Sequence, residues 1–97
     1  MAEKLSAETA RAELDKRSGW RLVKNGTSIA KTFEFGDFSE AFGFMARAAL
    51  VAEKMSHHPD WSNSFKTVKV TLSSHEAGGL TARDFKLAAA MDKIAGI

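Results

Sequence analysis

The residues best suited to chemistry in this 97-residue chain are three histidines, His57, His58 and His75. The pKa of an unperturbed histidine is about 6.5, so its ring can both give and take a proton at neutral pH. The chain has no cysteine, which excludes disulfides, thiolate metal sites and a cysteine nucleophile. Proton transfer is therefore the chemistry that these side chains offer, if the fold brings them together.

The histidine pair is predicted to stand at the end of a helix. Pro59 sets the helix limit, and the C-terminal dipole there favours a cationic ring. Glu53 lies four residues before His57, so its carboxylate is expected to share a helical face with that imidazole and to orient it. Because two adjacent imidazolium ions repel each other, we expect one charged ring and one neutral ring. Such a pair supplies an acid and a base, as a dehydration needs.

The histidines also have plain structural interpretations. His75 alone is compatible with a surface or packing role, and the run from His57 to Pro59 is compatible with a helix stop that leaves both rings exposed. A zinc site is disfavoured, because adjacent ligands point in different directions and HExxH spacing is absent.

Three residues nearby allow two interpretations each. Trp61 is either a wall on which a flat heterocycle stacks or an aromatic residue of the core. Asp84 follows Thr81 in the Thr-x-x-Asp form of a capping box, whose default role is to start a helix. Arg83 faces either an open cleft or solvent, and solvent is the simpler expectation.

The first half of the chain is predicted to form a helix, a hairpin and the start of a long helix. Ser6 is a plausible N-cap for a helix through Lys16. Asn25-Gly26 suits the turn of a β-hairpin with strands over about 20–24 and 28–35, although Lys31 interrupts the apolar face of the second strand.

The second half is predicted to add a long core helix, two strands and a final helix. Apolar residues recur at helical spacing from Asp37 to about His57, with Asp37 or Ser39 as the cap. Strands are expected over about 61–65 and 68–72. The last helix begins after Thr81.

This order of elements predicts an α+β fold, because strands and helices do not alternate as in a parallel sheet. We expect a four-stranded antiparallel sheet with the helices packed on one face, as a single domain over residues 1–97. So short a chain leaves strand edges and part of the long helix uncovered, so a homodimer or homotetramer is expected.

Composition narrows the setting in which the protein acts. The net charge is only +2, and basic residues are spread among acidic ones, which disfavours nucleic-acid binding. The longest apolar stretches are too short to cross a bilayer, so no membrane association is expected. The first residues lack the apolar segment of a secretory signal, which favours a cytoplasmic location.

Three segments of the sequence together resemble the pterin-4a-carbinolamine dehydratase family. They are the runs EKMSHHPDW at 53–61, VKVTLSSHE at 68–76 and GLTARD at 79–84. The resemblance extends upstream as far as Trp20. Two positions depart from the family pattern, with Ser56 where animal members often have aspartate and Phe65 where a tyrosine is common. These departures leave the pterin preference open.

The resemblance implies a pterin pocket near the histidines. The implied reaction is dehydration of a 4a-hydroxytetrahydropterin to quinonoid dihydropterin, with an aromatic amino acid hydroxylase as the metabolic partner that makes the substrate. No metal or cofactor is expected, so chelators should leave activity unchanged. The implied acid–base and substrate-binding residues are His57, His58 and His75, surrounded by Glu53, Pro59, Trp61 and Asp84.

Two other functions stay open. Animal relatives also act as dimerisation cofactors for a transcription factor, so the domain could be chiefly a protein-binding module. Binding through the long helix would need an exposed apolar face from Phe38 to Met55 but would not need three histidines. The same pterin site could also serve another pathway, such as molybdopterin metabolism.

Overall fold

The computed structural model describes residues 3–96. Its order of elements is α1 (Ala7–Asp15), β1 (Arg21–Val23), β2 (Ser28–Glu34), α2 (Phe38–Met55), β3 (Asp60–Ser64), β4 (Thr67–Leu72), a single 3-10 turn at His75–Ala77, and α3 (Ala82–Ile94). The strands lie in the order β1-β2-β4-β3, and each neighbouring pair is antiparallel. The α+β architecture predicted from the sequence is therefore confirmed.

The helices start at side chains that the sequence marks as caps. Ser6 accepts a hydrogen bond from the amide of Thr9, as predicted. Of the two candidates before α2, Asp37 is the cap, and its Oδ1 lies 2.8 Å from the amide nitrogen of Glu40. These caps satisfy amides that have no partner within the helix.

The core lies between one face of the sheet and the helices. In β4, Val68, Val70 and Leu72 are buried, whereas Lys69 between them is exposed. Phe44 of α2 and Leu87 of α3 are fully buried opposite that face. The alternation in β4 therefore shows which side of the sheet the helices cover, because successive side chains of a strand point to opposite faces.

Lys31 does not interrupt the core as the sequence suggested. The side chain is buried, and its Nζ lies 2.7 Å from Oδ1 of Asp92 and donates to the Ser18 carbonyl at 3.0 Å. The same carboxylate accepts from Nε1 of Trp20, which lies 3.1 Å from Oδ2. The lysine therefore joins β2 to α3 through an enclosed ion pair.

The outer side of α2 is not covered by any part of residues 3–96. Phe38, Phe42 and Leu50 are 50%, 59% and 73% exposed, and the two phenyl rings lie 6.0 Å apart. This is the uncovered part of the long helix that the sequence predicts. Among residues 3–96, no helix combines the length and the apolar character needed to cross a bilayer.

Candidate active site

The two histidines that follow α2 lie in different environments, one buried and one exposed. The helix stops at Met55, and Ser56 adopts a left-handed conformation with φ of 53°. The amide of His57 still donates to the carbonyl of Ala52 at 3.0 Å. After this turn the His57 ring is 5% exposed, whereas the side chain of His58 is 61% exposed.

Arg83 holds the backbone at this point. Its Nη2 donates to the carbonyl oxygens of Met55 and Ser56 at 2.8 and 2.7 Å. A cation at a helix C-terminus satisfies carbonyls that have no partner within the helix. The expectation that Arg83 faces solvent is therefore wrong, because its guanidinium, on α3, binds carbonyls at the C-terminal end of α2.

His57 is paired with Asp84, and the pair is enclosed. Nε2 of His57 lies 2.6 Å from Oδ1 of Asp84, which is fully buried. Because an ionised carboxylate only accepts, Nε2 carries the proton of this bond. Within residues 3–96, no hydrogen bond is made to the other ring nitrogen, Nδ1. Whenever the ring carries a single proton, Nδ1 is then its acceptor.

Glu53 contacts His58 and not His57, so the predicted pairing is wrong. Oε1 of Glu53 lies 2.9 Å from Nε2 of His58, and the two side chains are 81% and 61% exposed. The prediction assumed that the helix continues through His57. The left-handed residue Ser56 ends it first, so helical spacing no longer applies to the histidines.

Asp84 caps α3, as the sequence predicts, and also contacts His57, a partner that the sequence did not indicate. It completes the capping box of α3, because its Oδ2 accepts from the amide of Thr81 at 2.9 Å. Its other oxygen binds His57. A third donor is Ser74, whose Oγ lies 2.8 Å from Oδ2. Sequence reasoning missed Ser74, and its only signal was its position beside His75.

His75 is connected to the other histidines indirectly. It begins the 3-10 turn and is exposed, and its side chain makes no hydrogen bond within the described range 3–96. It borders a hollow of about 240 Å³, together with Lys24 and Thr27 of the β1–β2 turn and Gly78-Gly79. Neither His57 nor His58 lines this hollow. Its neighbour in the chain, Ser74, is connected to His57 through Asp84.

Trp61 and Pro59 complete the set of predicted residues. Trp61 is half-buried on β3, directly opposite Val70, and packs against the core from the helix-covered side. Pro59 is half-buried between the exposed His58 and the start of β3. Across the part of the chain that the structure describes, no three histidine and carboxylate side chains are grouped as a metal ion requires.

These features define a small α+β protein with two histidine–carboxylate pairs at the end of its long helix. A family model, described as Pterin 4 alpha carbinolamine dehydratase, matches residues 3–94. The chain belongs to this family, which confirms the resemblance drawn from the sequence and with it the enzyme class, the hydro-lyases.

Bacterial relatives match along nearly the whole chain. A protein of Afipia carboxidovorans with the provisional name pterin-4-alpha-carbinolamine dehydratase is 57% identical over 98% of this chain and 95% of its own. A protein of Bradyrhizobium diazoefficiens with the same provisional name is also 57% identical, again over 98% of this chain and 95% of its own.

Two solved structures share the fold. One is described as a transcriptional coactivator/pterin dehydratase from Brucella melitensis, and it superposes with a TM-score of 0.94 at 45% identity over 97% of this chain and all of that one. The other is a pterin dehydratase-like protein described as a RuBisCO assembly factor in the alpha-carboxysome. Its TM-score is 0.71 at 25% identity, over 82% of this chain and 93% of its own.

Proposed function

We propose that this protein dehydrates a 4a-hydroxytetrahydropterin to quinonoid dihydropterin by histidine acid–base catalysis, and so supports tetrahydropterin recycling. The observation that carries the proposal is the enclosed pair of His57 and Asp84 beside the exposed pair of His58 and Glu53. Family membership supplies the substrate class.

The reaction needs two proton transfers at one pterin. A base removes the proton from the ring N–H, an acid protonates the 4a-hydroxyl group, and water leaves as the carbon–nitrogen double bond forms. Neutral His57 suits the base, because Asp84 holds its Nε2 and leaves Nδ1 as an acceptor. His58 and His75 are exposed and available to bind the pterin or to protonate the hydroxyl group.

The residues around the histidines have supporting roles in this proposal. Trp61 supplies an aromatic surface for the flat pterin, and Pro59 shapes the path between His58 and β3. Glu53 and Asp84 orient the two imidazoles. The substrate would come from an aromatic amino acid hydroxylase, and the cytoplasmic location stays a prediction.

The direct test follows the decay of enzymatically generated 4a-hydroxytetrahydropterin, with and without the protein and a chelator. The parent protein should accelerate the decay, and the chelator should have no effect. His57→Ala should reduce the acceleration by about 100-fold, the scale of general acid–base catalysis. Lys69→Ala, on the open face of the sheet, serves as the control. A triple histidine replacement as fast as the parent would refute the proposal.

A second candidate function is protein binding through the outer face of α2. It is favoured by the exposure of Phe38, Phe42 and Leu50. Contiguous exposed apolar surface often marks an interface, and a homodimer or homotetramer is the partner that the sequence predicts. His57→Ala and His75→Ala separate the two functions, because they should strongly slow dehydration and leave the oligomeric state unchanged. Full activity in both variants would refute histidine catalysis, whereas a parent protein that forms the oligomer without accelerating dehydration would favour the binding function alone.

A further inference from the structure

The hydroxyl group of Ser74 is buried next to the carboxylate of Asp84. Ser74 is 2% exposed, and its Oγ lies 2.8 Å from Oδ2 of Asp84 and 2.9 Å from Oγ1 of Thr81. A carboxylate oxygen only accepts, so Ser74 donates its single proton to Asp84. The hydroxyl group of Thr81 must then donate to Ser74. The direction of each hydrogen bond in this cluster is thereby fixed.

This cluster holds the carboxylate in one orientation. Oδ2 of Asp84 accepts from Ser74 and from the amide of Thr81, at 2.8 and 2.9 Å. The remaining oxygen, Oδ1, faces Nε2 of His57 at 2.6 Å. Since two donors hold Oδ2, the carboxylate cannot turn without losing buried hydrogen bonds, which is costly. The proton of neutral His57 therefore stays on Nε2, and Nδ1 stays an acceptor.

The backbone of Ser74 also holds the turn that carries His75. The carbonyl of Ser74 accepts from the amides of Ala77 and Gly79, at 3.0 and 3.3 Å, and the Ser74 amide donates to the Gly79 carbonyl at 3.0 Å. Ser74 is thus the residue through which the turn of His75 and the carboxylate partner of His57 are connected.

We propose that Ser74 is a positioning residue, which fixes the tautomer of His57 through Asp84 and sets the turn of His75 relative to it. The proposal rests on the dehydratase function proposed above. Ser74 touches neither substrate nor reacting atoms in this role. Its contribution is the orientation of a base, and misorientation lowers the rate of the chemical step more than it lowers binding.

The test compares Ser74→Ala, which removes the hydroxyl group, with Ser74→Thr, which keeps it. Ser62→Ala, at an exposed position of β3, is the matched control for a serine-to-alanine change. Two quantities are measured: kcat and KM for the dehydration, and the ¹⁵N chemical shifts of the His57 ring nitrogens, assigned by their loss in His57→Gln. Thermal unfolding by circular dichroism shows that each variant is folded.

Ser74→Ala should lower kcat by about 10-fold, with KM nearly unchanged. The His57 nitrogen signals should move from those of the Nε2–H tautomer toward a mixture. Ser74→Thr should restore both. A folded Ser74→Ala with parental kcat and parental signals would overturn the proposal, as would a Ser74→Thr that fails like alanine. If the parent protein shows no dehydration, the function is wrong, and the nitrogen signals still decide whether Ser74 orients His57.

Discussion

Two neighbouring histidines each pair with a carboxylate, yet only one of the two pairs is enclosed. In the pair of His57 and Asp84 the side chains are 5% and 0% exposed, whereas in the pair of His58 and Glu53 they are 61% and 81% exposed. The interacting groups are the same. The enclosed pair is shielded from water, and the exposed pair is screened by water and by salt.

The difference separates two tasks that a proton-transfer site needs. An enclosed imidazole is held in one orientation by partners that cannot be replaced by water. An exposed imidazole can turn, exchange its partner and meet an incoming ligand. In the proposed mechanism, enclosed His57 keeps one orientation, whereas exposed His58 is accessible to the substrate.

The largest expected effect comes from breaking the enclosed pair. Asp84→Ala leaves His57 buried without its partner and removes the capping box of α3. Loss of a buried hydrogen bond to a charged group costs about 1.5–3 kcal/mol and loss of a helix cap about 0.5–2 kcal/mol, so the free energy of unfolding should fall by about 2–5 kcal/mol. Urea denaturation measures it, with Asp15→Ala on the exposed end of α1 as the control. A loss below about 1 kcal/mol would show that the pair is not enclosed in solution.

An intermediate effect is expected at Arg83, which supports the backbone of both pairs. Arg83→Met removes two hydrogen bonds to the carbonyls of Met55 and Ser56. The free energy of unfolding should fall by about 1–2 kcal/mol. Dehydration should slow, because the backbone just before both histidines is no longer held in place. Arg47→Met, on the exposed side of α2, is the matched control. Equal stabilities of the two variants would mean that Arg83 does not hold the helix end.

The smallest effect is expected from the exposed pair. Glu53→Gln keeps the shape of the side chain and removes its charge, so the free energy of unfolding should change by less than about 0.5 kcal/mol. The rate of dehydration should fall by less than about 10-fold, and the difference from the parent should shrink in about 1 M salt, where charges are screened within about 3 Å. A salt-independent loss as large as that of Asp84→Ala would remove the distinction between the pairs.

The sequence predicted the parts of the fold that local patterns encode. The spacing of apolar residues located α2, and Thr81 with Asp84 marked the start of α3. The alternation of Val68, Val70 and Leu72 identified β4. Each of these signals lies within a few residues, so a single sequence contains it.

The partners within the site were harder to predict, because they depend on distant residues and on one unusual conformation. A left-handed serine is uncommon, since side chains other than glycine crowd the backbone there. Ser56 nevertheless ends α2 in that way, and Glu53 consequently pairs with His58 and not with His57. The contacts of Asp84 with His57 and of Arg83 with Met55 join residues from opposite halves of the site, and no spacing rule indicates them.

The double use of Asp84 affects how relatives should be sorted by activity. The same carboxylate starts the last helix and binds His57. In a homologue that no longer dehydrates pterins, aspartate there would still stabilise the start of that helix. Aspartate at this alignment column is therefore a weak marker of catalysis, and surveys that separate active dehydratases from repurposed ones should rely on the histidines instead.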